Sequence, residues 1–164
     1  MKTSDIAKQA VRLGGQKALE FFTNRDQLTI DFKGPQDYVS EADRTVEAIM
    51  IDFLQSHFPD DGFLGEESSE IKQAKQWVID PIDGTTNFIR GLPYFCTTLA
   101  LVENERVIGG WIFDPTRDEL YEANLGYGAY CNGQRLQPNW RGSLSTGLMG
   151  ICHSSRLTAK ELAG

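Results

Sequence analysis

Residues 77–88 read Trp77-Val78-Ile79-Asp80-Pro81-Ile82-Asp83-Gly84-Thr85-Thr86-Asn87-Phe88. The first three are apolar and partly β-branched, which predicts a short strand. Pro81 has a fixed φ and no backbone donor, so the strand is expected to end there. Asp80 and Asp83 then flank a tight turn, and both carboxylates are expected to face one point. Gly84 lets the backbone approach a ligand closely. A helix can begin at Thr85, with Asp83 as its cap. The amides of Gly84, Thr85 and Thr86 would lie at that helix N-terminus, where anions bind. One segment thus offers hard oxygen ligands for a cation and donors for an anion beside it.

Toward the N-terminus the pattern is helical. Ile6, Ala7, Ala10, Val11, Leu13, Ala18, Leu19 and Phe22 recur at helical spacing over residues 4–23, with Ser4 or Asp5 as the expected cap. Gly14-Gly15 sits in the middle and costs helix stability unless packing requires it. A second helix is predicted over 40–58. Ser40 is its N-cap, Val46, Ile49, Met50, Phe53, Leu54 and Phe58 form its apolar stripe, and Pro59 stops it.

Toward the C-terminus the period becomes that of strands. Residues 95–102 and 107–113 are apolar and β-branched, and Glu103-Asn104-Glu105-Arg106 is the turn between them. Further strands are expected at 119–123 and 128–131, and Asn132-Gly133 is a hairpin signal. Two helices followed by hairpins predict an α+β fold, with the helices on one face of a mostly antiparallel sheet. Composition shifts near residues 137–143. We read 1–142 as an N-terminal α+β domain and 143–164 as the start of a second, truncated one, with a new strand at 146–152.

The composition fits this picture. The chain has 164 residues, 40% of them hydrophobic, enough for a core. Its net charge of −7 repels phosphate backbones, which speaks against nucleic acid as a partner. Cys96, Cys131 and Cys152 are odd in number and none is paired at CxxC spacing, so reduced, packed thiols are expected, without a disulfide framework or a zinc site. No apolar run approaches a bilayer span, and the N-terminus does not read as a signal peptide. No membrane partner is expected, and the cytoplasm is the default location.

Two other acidic elements accompany the central segment: Gly65-Glu66-Glu67, and Ser40-Glu41-Ala42-Asp43. Glu66 is expected to complete a cation site with Asp80 and Asp83. Carboxylates suit Mg²⁺ or Mn²⁺ and not zinc. Two such ions ~3.5–4 Å apart clamp the attacking and leaving oxygens of a phosphate ester. Thr85, with Glu66 or Asp43 accepting its proton, is then placed to activate a water. Taken alone, Glu66-Glu67 would be a solvated face, Asp43 a capping residue and Asp83-Gly84 a turn; the combination points to chemistry. Lys33 is expected on a surface loop, His57 and His153 are expected to be structural or exposed, and Phe88, Phe95 and Trp111 are expected in the core.

Gly65-Glu66-Glu67 with Asp80-Pro81-Ile82-Asp83-Gly84-Thr85-Thr86-Asn87-Phe88 resembles the signature of the inositol monophosphatase family. Ser40-Glu41-Ala42-Asp43 resembles that family's acidic element, and residues 126–133 its later hairpin. The resemblance implies a layered αβαβα fold, of which this chain would be the N-terminal half. It implies Glu66, Asp80, Asp83 and the Ile82 carbonyl as metal ligands, Gly84 and Thr85 as phosphate-holding amides, and Thr85, Glu66 and Asp43 as the water-activating set. It also implies Mg²⁺ dependence, lithium sensitivity and a homodimer. The family's later Trp-Asp ligand has no counterpart, because Trp77, Trp111 and Trp140 precede Val78, Ile112 and Arg141. The chain is therefore expected to be part of a longer enzyme.

The expected function is hydrolysis of a small phosphate monoester, inositol monophosphate by preference. Nucleotide 3′-phosphatase, sugar bisphosphatase and histidinol phosphatase activities stay open within the class. Outside it stand a metal-binding module without turnover and a structural domain that retains the motif by inheritance.

Overall fold

A computed structural model describes residues 2–25, 30–34, 37–68 and 70–137, those between 30 and 40 by their backbone. Helix α1 spans Thr3–Thr23 and helix α2 spans Glu41–His57. Between them, β1 (Ile30–Gly34) and β2 (Asp37–Ser40) form a separate antiparallel pair. The expectation of a loop around Lys33 is thereby corrected: Lys33 is a residue of β1. Strands β3 (Gly62–Leu64), β4 (Lys75–Asp83), β5 (Cys96–Glu103), β6 (Arg106–Asp114), β7 (Glu119–Asn124), β8 (Gly128–Cys131) and β9 (Gln134–Arg135) make one sheet in sequence order. Among the described strands only β3 and β4 pair in parallel; every later neighbour is antiparallel. The α+β architecture read from the sequence is the one observed.

The helices cover one face of this sheet. Alternate residues Trp77 and Ile79, Thr97, Leu99 and Leu101, Trp111 and Phe113, and Leu120 are buried on that face. They meet Ile6, Ala7, Ala10, Val11 and Ala18 from α1 and Val46, Met50 and Leu54 from α2. Phe88 and Phe95 are buried in the same core, as expected, and stack edge to face at 5.0 Å.

The paired glycines of α1 belong to this packing. A Cβ on Gly14 would run into Met50 of α2, and one on Gly15 into the Phe113 ring of β6. The helix thus lies closer to both neighbours than any side chain would allow. The expected capping of α1 is corrected. Lys2 is the N-cap residue and no side chain caps it. Ser4 instead donates to Glu122 Oε2 at 3.1 Å and accepts from Trp111 Nε1 at 3.2 Å, so its hydroxyl ties the helix to the sheet. Asp5 pairs with Lys8 at 3.2 Å.

Both predicted hairpins form. Asn104 and Glu105 have φ 48° and 63°, and Asn132 and Gly133 have φ 47° and 78°. Positive φ at both central residues is the turn whose twist matches the flanking strands. The expected boundary at 137–143, the strand at 146–152, Cys152 and His153 lie outside the described residues, apart from Gln137.

The glycine packing yields a prediction. Gly15→Ala is expected to destabilise the chain by about 1–3 kcal/mol in urea unfolding, despite the better helix propensity of alanine. Gln16→Ala, at the next and exposed position, is expected to change stability by less than ~0.5 kcal/mol. Equal effects at the two positions would contradict the close approach.

Candidate metal and phosphate site

The site begins with an irregularity in β4. Asp80 lies opposite Thr98 and Asp83 opposite Cys96, so Pro81 and Ile82 together face the single residue Thr97. This is a β-bulge. Without the extra residue, positions three apart in a strand point to opposite faces. With it, Asp80 and Asp83 share one face, and Pro81 and Ile82 are both buried on the other. The strand therefore runs through Pro81, where the sequence reading ended it. Proline is tolerated because β3 has already stopped pairing at Val78, so no partner there needs an N–H. The Pro81 carbonyl accepts from the buried Thr97 hydroxyl at 2.8 Å. Thr97, which sequence reasoning passed over, pins the bulge.

Gly84 follows with φ 96° and is itself the N-cap of α3 (Thr85–Ile89), without a side-chain capping bond. The expectation that Asp83 caps this helix is corrected. A Cβ at Gly84 would lie 3.0 Å from the Tyr94 carbonyl oxygen, so both φ and space call for glycine. Asn87 Nδ2 donates to that same carbonyl at 2.9 Å and fastens the 91–95 loop to α3.

Thr85 Oγ1 donates to the Ile82 carbonyl at 2.9 Å and lies 3.4 Å from Asp43 Oδ1. Asp43 comes from the first turn of α2 and is 2% exposed. A residue 42 positions away is thus brought to the threonine. A hydroxyl has one proton, and the Ile82 contact is the shorter; rotation about the C–O bond redirects it to Asp43.

Glu66 approaches from the turn after β3. Its charge, with those of Asp83 and Asp43, bears on Asp80. Burial first, and then these three carboxylates, push the Asp80 carboxyl up from its ordinary value to about 7. Asp80 Oδ1 is buried and has no hydrogen-bond partner among the described residues. An orphaned carboxylate oxygen amid like charges is what a cation would satisfy. Among the described residues no three His, Cys, Asp or Glu side chains are gathered closely enough to hold a metal ion as they stand. The donor chemistry therefore fits a hard divalent cation, while the final coordination is not preassembled.

Other residues settle into supporting places. The Cys96 thiol, 3.8 Å from Asp83 Oδ2, is pushed up to about 12 by burial and by Asp83 and Asp80, so it stays protonated at neutral pH. Cys96 and Cys131 are free thiols. His57 is exposed, 3.0 Å from the Ser56 hydroxyl and 2.9 Å from the Phe53 carbonyl. The backbone N–H of Glu67 donates to Glu47 Oε2 at 2.9 Å.

The profile of the inositol monophosphatase family matches residues 2–161. The chain belongs to the inositol monophosphatase family. Among curated family members it is 42% identical over 149 residues to "Inositol-1-monophosphatase" of Rhizobium meliloti, covering 89% of this chain and 56% of that protein. It is 38% identical over 149 residues to "Nus factor SuhB" of Escherichia coli, covering 89% and 54%. Among solved structures, extragenic suppressor protein suhB from Bartonella henselae superposes with a TM-score of 0.79 at 38% identity, covering 80% of this chain and 52% of that one. The chain spans about half the length of the curated relatives it matches. No described helix is long and apolar enough to cross a membrane.

The crowding around Asp80 has a measurable consequence. A carboxyl whose folded-state pKa is raised carries no penalty below its ordinary value near 4. The penalty grows as pH rises toward 7 and is complete above it. Asp80→Asn is therefore expected to stabilise the metal-free protein at pH 8 by on the order of 1–2 kcal/mol, after discounting for solvent screening. That corresponds to roughly 2–8 °C in Tm, with no gain at pH 4. Melting curves in EDTA at the two pH values test this; a lowered Tm at pH 8 would contradict it.

Proposed function

We propose that this chain carries the N-terminal part of a metal-dependent phosphomonoesterase site, with inositol monophosphate as the preferred substrate. The observation that carries the reading is the buried Asp80 Oδ1, which has no hydrogen-bond partner among the described residues and feels the charges of Glu66, Asp83 and Asp43, the last of these 3.4 Å from the Thr85 hydroxyl. In this reading Glu66, Asp80, Asp83 and the Ile82 carbonyl hold Mg²⁺, or Mn²⁺. The bound ion would neutralise the carboxylates, polarise the phosphate and lower the pKa of a bound water.

The residues of the chain divide the remaining work. The amides of Gly84 and Thr85 hold the phosphate oxygens. Thr85 orients the attacking water, and its hydroxyl passes a proton toward Asp43 or Glu66. The water oxygen bonds to phosphorus as its proton passes through the Thr85 hydroxyl to that carboxylate, the ester P–O bond breaks, and the leaving alkoxide takes a proton from solvent water. Products are the free alcohol and inorganic phosphate. Lithium sensitivity, a homodimer and a cytoplasmic location accompany this proposal. The acidic charge of the chain favours a small phosphorylated substrate over a polyanion, although some relatives bear the name Nus factor SuhB.

Phosphate release from inositol 1-phosphate is expected in Mg²⁺, to vanish in EDTA, and to fall roughly 100-fold or more in Asp83→Asn. Release that ignores both changes would sink the reading. Release by the 164 residues alone would show that the N-terminal cluster suffices. Release only after fusion to the C-terminal half of the Rhizobium meliloti relative would place the remaining ligands there.

A further inference from the structure

Glu47 is a glutamate buried to 2% exposure in the middle of α2, and its charge calls for an explanation. It stands one helical turn after Asp43, on the same face. Asp43 reaches Thr85, on the segment that follows β4. Glu47 reaches the other half of the site, where its Oε2 accepts the backbone N–H of Glu67 at 2.9 Å. The turn it grips is Gly65-Glu66-Glu67. The grip is close: a Cβ on Gly65 would overlap the Glu47 carboxylate. Glycine at 65 is thus the space into which that carboxylate fits, and Gly65 and Glu67 flank Glu66 on both sides.

Burial of a carboxylate is costly unless it accepts strong hydrogen bonds. The contacts of the Glu47 carboxylate are with the backbone of the turn: its Oε2 accepts the Glu67 N–H, and it fills the space a side chain at Gly65 would take.

We propose that Glu47 is a positioning residue: by clamping the Gly65–Glu67 backbone to α2, it fixes where Glu66 projects relative to the Asp80–Thr85 segment. The proposal rests on the reading of Glu66 as a metal ligand. Two residues one turn apart on a single helix then set the register between the two halves of the site. The turn after β3 is closed at its base by the two 2.8 Å bonds between Phe63 and Ile71, and Glu47 fastens its Glu67 backbone to α2, so α2 takes part in setting where Glu66 lies relative to Asp80.

The test uses Glu47→Ala, Glu47→Gln, Gly65→Ala and the double variant Glu47→Ala/Gly65→Ala, with Glu66→Gln as reference. Two quantities are read: hydrogen exchange of the Glu67 amide without metal, and Mg²⁺ affinity by calorimetry, the latter repeated as the Mg²⁺ requirement for phosphate release. Glu47→Ala is expected to expose the Glu67 amide and weaken Mg²⁺ binding by roughly 10–100-fold. Glu47→Gln keeps an oxygen that accepts the N–H, so it is expected to hold both near the parent values. Gly65→Ala pushes the carboxylate away and is expected to resemble Glu47→Ala, with little added effect in the double variant. If Glu47→Ala does not fold, Gly65→Ala and Glu47→Gln still decide the matter.

Weakening by Glu47→Gln as large as that by Glu47→Ala would overturn the proposal, because the charge and not the clamp would then be at work. Unchanged Mg²⁺ affinity in Gly65→Ala beside a loss in Glu66→Gln would overturn it too. If Glu66→Gln itself leaves Mg²⁺ affinity unchanged, the metal reading of Glu66 fails. Protection of Glu67 that depends on Glu47 would then remain a feature of the fold alone.

Discussion

Pro81 and Ile82 lie opposite one residue, Thr97, and the extra residue in β4 turns Asp83 to the same side as Asp80. A strand alternates its side chains, and two carboxylates three positions apart would otherwise be separated by the thickness of the sheet. The bulge is held by the Thr97 hydroxyl on the Pro81 carbonyl, by the burial of Pro81 and Ile82, and by the absence of a β3 partner at that depth. Gly84, Thr85 and α3 follow from where the bulge releases the chain.

The price of that arrangement is electrostatic. Three carboxylates bear on Asp80, and one of its oxygens is buried without a hydrogen-bond partner among the described residues. A sequence optimised for the metal-free fold alone would place an amide or an apolar residue there. The local conflict sits where a functional site is expected. The surrounding core is uncompromised: Trp77, Trp111, Phe88 and Met50 are fully buried, and the glycines of α1 let the helix settle against Met50 and Phe113. A well-packed core thus lies beside the crowded carboxylates.

Helix α2 links the two. Its apolar face, Val46, Met50 and Leu54, packs into the core, while Asp43 and Glu47 from the same helix are buried toward the site. Asp43 was read from the sequence as part of an acidic element beside the motif. Glu47 was not, because a lone glutamate amid a helical stripe has the signature of any solvated position. Its burial becomes visible only when the turn after β3 folds over it.

The sequence by itself determined the two long helices, the hairpins at Asn104-Glu105 and Asn132-Gly133, the α+β class and the family resemblance of the motif. Each of these depends on spacing or turn chemistry within a few residues. It did not show the β1–β2 pair, the three-residue β3 or the continuation of β4 through Pro81. Those elements are too short or too irregular for a periodic signal; β1 and β2 pair with each other, while β3 and the bulged end of β4 exist because partner strands and side chains further along the chain receive them. The cap of α1 went astray for a related reason: Ser4 has the local chemistry of a cap, but Trp111 and Glu122 compete for its hydroxyl. Residue type named the carboxylates. Their common face, the orphaned oxygen of Asp80 and the clamp from Glu47 to Glu67 were decided by tertiary structure, because register, burial and long-range hydrogen bonds arise only when distant segments meet.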